Sequence, residues 1–146
     1  MNDVLDIRLA NELPEIERLA GIIRDFGAKR GLTGQETFDI TLAFDELLTN
    51  TITYGYEAGG RHEIRVTLAL EGDMFHGEIR DDGKAFNPLD IPEPNLSLDI
   101  DERPIGGLGI FFVRQVMDGL DYRREGGMNI VSLRKTVKRD GKDDGT

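Results

Sequence analysis

Three short runs of residue types hold the chemical possibilities of this chain. The first is Glu46-Leu47-Leu48-Thr49-Asn50. Glu46 and Asn50 stand four positions apart, so on a helix their side chains are neighbours. A carboxylate and a carboxamide oxygen placed together suit a general base and a magnesium ligand. The second run is Arg80-Asp81-Asp82-Gly83-Lys84-Ala85-Phe86. An ionised carboxylate only accepts hydrogen bonds, so Asp81 suits an exocyclic amine such as that of adenine. Gly83 lets backbone approach a flat ligand closely. The third run is Gly106-Gly107-Leu108-Gly109, ahead of the apolar Ile110-Phe111-Phe112-Val113. Glycines at a helix start leave backbone N–H groups open to a phosphate, and the helix dipole favours that anion.

Each run taken alone also has a plain structural reading. These are a solvated helix edge, an Asp-Gly turn and a flexible lead-in to a buried helix. The turn reading is weakened because Lys84 to Pro88 resume no alternating strand. Other familiar patterns fail on specific residues. Phe112 stands where the dinucleotide fingerprint needs its third glycine, and Glu78 stands where a P-loop needs its first. His62-Glu63 has no second histidine four residues on, which removes a zincin. His62 and His76 read as surface or edge residues of strands.

The elements that must position these runs follow from periodicity. Leu5, Ile7 and Leu9 alternate with polar residues as a half-buried strand. Asn11 suits the N-cap of a helix with Pro14 and Glu15 in its first turn, ending near Gly31. Thr33 and Glu36 form a capping-box pattern that opens a second helix, through Phe38, Phe44 and Leu47 to about Tyr54-Gly55. Ile64 to Leu70 alternate clearly, and Gly72-Asp73 turns that strand into another carrying Phe75, Gly77 and Ile79. From Asn87 to Pro104 periodicity vanishes and four of the five prolines occur, so a functional or unstructured loop is expected. A short helix, Ile110 to Met117, and a hairpin joined at Gly126-Gly127 complete the pattern. Runs of helices and hairpins predict an α+β class. The expected architecture is a two-layer sandwich, with helices on one face of a mostly antiparallel mixed sheet.

Length and charge bound what such a chain does. At 146 residues one domain is expected, over residues 1–137, with 138–146 a frayed tail. A chain of this size buries about 68–70% of its unfolded surface, enough for a core without staples. The absence of cysteine excludes disulfides and cysteine-ligated metals. A net charge of -10, from 28 acidic and 18 basic residues, argues against sequence-independent nucleic-acid binding. No apolar run reaches membrane-spanning length, and the first residues lack the basic and apolar regions of a secretory signal. A cytoplasmic protein is expected.

In this order the three runs resemble the nucleotide site of the GHKL ATPase superfamily, the ATP-binding fold of histidine kinases, gyrase, Hsp90 and MutL. Glu46 to Asn50 looks like the N box, Asp81-Asp82-Gly83 the first glycine box, and Gly106 to Gly109 the second. Phe44-Asp45-Glu46-Leu47-Leu48-Thr49-Asn50, followed by Tyr54-Gly55-Tyr56, is similar to the stand-alone branch of anti-sigma-factor serine/threonine kinases. The resemblance covers roughly residues 5–136. Ala85 replaces the second glycine of the first box, and Tyr54 stands where some members carry histidine.

The resemblance implies a Bergerat-type fold and a magnesium-dependent kinase acting on serine or threonine of a partner protein. Glu46 would orient or deprotonate the hydroxyl, and Asn50 would bind Mg²⁺. Asp81 would hold the adenine amine, with Gly83, Lys84, Ala85 and Phe86 around the nucleotide. Amides of Gly106, Gly107, Leu108 and Gly109 would cradle phosphate, and Lys84 and Arg103 would offset the acidic field. Residues 87–105 would close as a lid. The expected partners are a STAS-type anti-sigma-factor antagonist, a sigma factor and a second copy of the chain. A nucleotide-switched binding module, without phosphoryl transfer, is the alternative.

Overall fold

The computed structural model describes residues 3–90 and 107–138. The elements run β1 (Asp3–Ala10), α1 (Pro14–Arg30), α2 (Gly34–Gly55), β2 (Glu63–Glu71), β3 (Met74–Asp81), α3 (Gly107–Val116), β4 (Gly119–Glu125) and β5 (Met128–Thr136). This is the predicted order. The strands form one five-stranded sheet, β1-β2-β3-β5-β4. Every described pairing is antiparallel, so the sheet is not mixed. The β4–β5 hairpin places its second strand beside β3 and antiparallel to it.

Register stacks the apolar phase of each strand into rows across the sheet. Ile7, Val66, Ile79, Val131 and Tyr122 form one such row. On β2, Ile64, Val66, Leu68 and Leu70 are all buried while the alternate positions are exposed or half-buried, as period two requires. The three helices cover this face, and Leu19, Ile23, Ile40, Phe44, Leu47 and Leu48 join the strand residues in one core.

Two helix starts test the capping expectations. At α2 the capping box is complete: Glu36 N–H donates to Thr33 Oγ1 at 3.1 Å and Thr33 N–H to Glu36 Oε1 at 2.9 Å. At α1 the Asn11 cap is not found. The N-cap position is Leu13, without a side-chain cap. Asn11 lies too far ahead of Pro14, and its carboxamide instead binds Gly60 O and His62 N–H. Glu15 turns back and accepts from Ala10 N–H at 2.9 Å. His62 correspondingly lies just before β2, and Phe38 is open to solvent on α2. No helix among the described residues is long and apolar enough to cross a membrane.

Candidate active site

Glu46, Asn50 and Tyr54 succeed one another at intervals of four along α2, so they form one strip of the helix surface. At one end of the strip, Glu46 lies against the first turn of α3. A Cβ built on Gly109 would stand 1.9 Å from Glu46 Oε2, a contact only glycine permits. At the other end, the Tyr54 ring meets Phe86 of the second run, with ring centroids 5.5 Å apart. One strip of α2 therefore touches both other runs.

Burial gives the strip its chemistry. Glu46 is half-buried, and desolvation, aided by the neighbouring Asp45 charge, raises its carboxyl above the ordinary glutamate range. Asn50 is only 5% exposed. Among the described residues, its Nδ2 and the adjacent Thr51 Oγ1 are the fully buried side-chain polar atoms without a hydrogen-bond partner. A buried donor left unsatisfied costs stability, so Asn50 Nδ2 could take a hydrogen-bond acceptor.

Asp81 occupies the last inward position of β3, in phase with Phe75, Gly77 and Ile79. A carboxylate thereby enters a core row, and it is 2% exposed. Its Oδ1 accepts from Gly83 N–H and from Asn129 Nδ2, both at 2.9 Å. Burial nevertheless outweighs these bonds and raises its pKa. Both contacts fall on Oδ1, so Oδ2 could accept from a ligand. Asp82, its neighbour, has a structural task. It receives Tyr56 Oη at 2.8 Å and lies 3.1 Å from His62 Nδ1, tying the first glycine box to the segment after α2. Burial alone would raise the Asp82 carboxyl, but the His62 and Tyr56 hydrogen bonds hold it below the ordinary aspartate range.

Gly83 is required by the protein itself: a Cβ there would lie 2.6 Å from Gly55 O. Lys84 N–H donates to the same carbonyl at 3.0 Å, closing the box onto the end of α2. The Lys84 ammonium is paired with Glu57. Ala85 is exposed and Phe86 half-buried. Gly107, Leu108 and Gly109 form the first turn of α3, so the helix starts three residues before the expected Ile110. Gly106 and Arg103 lie outside the described residues, as do the segment 91–105 of the expected lid and the tail beyond Lys138. The start of that lid is anchored: Leu89 joins the core and its carbonyl accepts from Arg114.

Two residues were missed from sequence. Asn129 on β5 is 2% exposed and binds Asp81, and Arg124 on β4 donates to both Asn129 Oδ1 and Gly83 O. The available signal was phase: Asn129 shares the inward face with Val131 and Leu133, an unusual place for a carboxamide.

No three His, Asp or Glu side chains among the described residues are grouped to cage a metal. One carboxamide plus phosphate oxygens and waters is a donor set magnesium accepts. A groove of about 500 Å³ between α1 and α2 is lined by Asp45 and Thr49 among others. It contains none of the assigned residues, because Glu46 and Asn50 lie about a quarter turn round the helix.

Residues 9–135 match the family described as "Histidine kinase-like ATPase domain". The chain is 31% identical over 96 residues to the serine/threonine-protein kinase BtrW of Bordetella bronchiseptica, covering 66% of this chain and 68% of that one. It is 25% identical over 137 residues to the serine-protein kinase RsbW of Halalkalibacterium halodurans, covering 88% and 82%. Among solved structures, the RsbU and RsbW domains of a Mycobacterium tuberculosis protein superpose with a TM-score of 0.67 at 18% identity, over 94% of this chain and 33% of that one. The SiaB–SiaC complex of Pseudomonas aeruginosa gives 0.56 at 18% identity, over 92% of this chain and 89% of that one. These two structural likenesses speak to the fold.

Proposed function

This chain belongs to the histidine kinase-like ATPase family, and from that premise we propose that it is an ATP-dependent protein serine/threonine kinase of anti-sigma-factor type. Its substrate protein is a STAS-type antagonist, its second partner a sigma factor, and its working form a cytoplasmic homodimer. The observation that carries the reading is the α2 strip, with Glu46 against Gly109 at one end and Tyr54 against Phe86 at the other. An adenine site and a phosphate site are separate needs, and one helix edge spans both.

Asp81 Oδ2 accepts the adenine 6-amine while Phe86 and Tyr54 flank the glycine box. The N–H groups at the start of α3, around Gly107 and Gly109, receive phosphate oxygens. Asn50 would hold Mg²⁺ through its carboxamide oxygen, while its buried Nδ2, a donor without a partner, would be satisfied by an acceptor such as a phosphate oxygen. Magnesium held there would supply charge neutralisation to the phosphate oxygens. Glu46 takes the proton of the attacking hydroxyl. The bond from that oxygen to the γ-phosphorus forms, the bond from the γ-phosphorus to the bridging oxygen breaks, and ADP leaves with the electron pair. A carboxyl raised by burial is a better proton acceptor near neutrality than an ordinary one. Lys84 is paired with Glu57 at the surface, and among the described residues Arg124 also sets a cation against the first glycine box, on Gly83 O.

The deciding experiment incubates the chain with labelled ATP, magnesium and a STAS-domain protein encoded beside it. Label on a serine or threonine of that protein, lost with Glu46→Gln, is the expected result. ATP binding without any labelled partner overturns the kinase reading in favour of the binding module.

A further inference from the structure

Asn129 sits at the centre of a polar cluster whose place is dictated by sheet register. Asp81, Asn129 and Arg124 lie side by side across β3, β5 and β4. Asn129 Nδ2 donates to Asp81 Oδ1 at 2.9 Å and to Lys84 O at 2.8 Å. Its Oδ1 accepts from Tyr122 Oη at 2.6 Å, Arg124 Nη1 at 2.8 Å and Phe86 N–H at 3.3 Å. Donors crowd one side of the carboxamide and acceptors the other, so it has a single orientation. The group is 2% exposed, where a flipped amide would leave several buried atoms unpaired.

From this geometry we infer that Asn129 is the positioning residue for purine selection: it consumes Asp81 Oδ1 and so presents Oδ2 alone to a 6-amino purine. The inference rests on the adenine reading of Asp81 and adds the group that aims it. Tyr122 and Arg124 act one step further back by fixing the Asn129 amide. A carboxylate with one oxygen tied to two donors cannot rotate to meet a purine that offers a different edge. Selection is then a property of β5 and β4 as much as of Asp81.

Three measurements separate this role from a merely structural one. Titrations compare ATP with purine riboside triphosphate, which carries hydrogen in place of the 6-amine. Wild type is expected to prefer ATP by about tenfold or more, the scale of a hydrogen bond to a charged group. Asn129→Ala is expected to lose that preference while binding the 6-hydrogen analogue within about twofold of wild type. Equal losses for both nucleotides overturn the inference, since a loosened box weakens any purine. If wild type itself fails to discriminate, and Asp81→Ala changes nothing, the adenine reading falls and this inference with it.

Asn129→Asp keeps the shape and makes the inference testable should the alanine variant not fold. Its new carboxyl faces Asp81 Oδ1 across the distance that now separates the Asn129–Asp81 pair. Like charges this close cannot both ionise cheaply, so the pair holds one shared proton until the pH rises. The other ionisable groups facing the pair are Asp82, Tyr56, Tyr122 and Arg124, and they are common to both proteins. The variant-to-wild-type ratio of ATP affinity is therefore expected to fall by about tenfold between about pH 5.5 and about pH 8. A ratio that is flat with pH overturns the inference.

Discussion

Glu46 on α2 and Gly109 in the first turn of α3 are in such close contact that a single added carbon would collide with the carboxylate. That carbon would lie 1.9 Å from Oε2 and 2.2 Å from the carboxyl carbon. The contact sets an acidic group at the positive end of a helix dipole, where an anion is favoured by roughly 0.3–1 kcal/mol. It also means that the residue assigned to the nucleophile and the residue assigned to phosphate are positioned by each other.

Gly109→Ala tests that relationship. The atoms a Cβ would strike belong to the far end of a flexible side chain, so Glu46 can swing away at small cost. Alanine is also the better helix former, by about 1 kcal/mol. Thermal stability should therefore change by less than about 1 kcal/mol. Transfer to the partner protein should fall about tenfold or more, because the base has moved. Combining Gly109→Ala with Glu46→Gln should cost little beyond either alone. A fully additive double variant, measured in the same phosphoryl-transfer assay, contradicts the coupling.

Glu46→Gln isolates the base. Size and helix propensity are kept, so ATP affinity should stay within about threefold of wild type while transfer slows by about a hundredfold or more. The wild-type rate should also depend on pH with a definite sign. Burial raises the Glu46 carboxyl, so the active ionised form is lost as pH falls through a value above that of ordinary glutamate. The rate should decline on the acid side earlier than an exposed glutamate allows, and the glutamine variant should lack that limb. A pH–rate profile of both proteins reads the difference.

How much of this was legible from sequence depends on whether a residue's partner lies near it in the chain. Thr33 and Glu36 satisfy each other within one turn, and the pattern located α2 correctly. Asn11 carries the same cap chemistry, but its partners Gly60 and His62 lie on a distant segment, so local spacing misassigned it. The Glu46–Asn50 spacing was visible, whereas the contact with Gly109 depends on how α3 docks on α2. Lys84 was read as offsetting the acidic field, and its pairing with Glu57, 27 residues away, was not visible in local spacing. Asn129 and Arg124 became neighbours of Asp81 only through β3–β5–β4 register, which no single segment encodes.

Gly83→Ala should behave differently from the Gly109 change. Its Cβ would meet the Gly55 carbonyl at 2.6 Å and Asp81 Oδ1 at 2.9 Å, and neither can swing aside. Backbone at the end of α2 must shift, at a cost of about 1–3 kcal/mol. The shift also breaks the Gly83 N–H bond to Asp81, so ATP affinity should fall together with stability. Denaturant unfolding and a nucleotide titration on one sample set test both halves. A variant as stable as wild type, or one that binds ATP normally, contradicts the packing assigned to this glycine.

Asp81→Asn should separate stability from binding in opposite directions. Burial raises the Asp81 pKa above its unfolded value, so the ionised form burdens the fold. The wild-type contribution is therefore most favourable below the unfolded aspartate pKa of about 3.9 and is lost as pH rises through the folded value. A neutral carboxamide removes that burden. Its oxygen can replace Oδ1 and keep the bonds from Gly83 N–H and Asn129 Nδ2. Its NH₂ then stands where Oδ2 faced the ligand, donor against the adenine amine. Near neutral pH the variant should melt higher than wild type, and the advantage should shrink as pH falls toward the unfolded aspartate value of about 3.9. ATP affinity should drop by at least about tenfold, the cost of an unpaired buried donor. GTP, whose purine offers an oxygen at the same position, should lose less or gain. Melting curves at the two pH values and paired ATP and GTP titrations measure all of this. A variant that melts lower than wild type at neutral pH, or still prefers ATP, removes Asp81 as the buried charge that reads adenine.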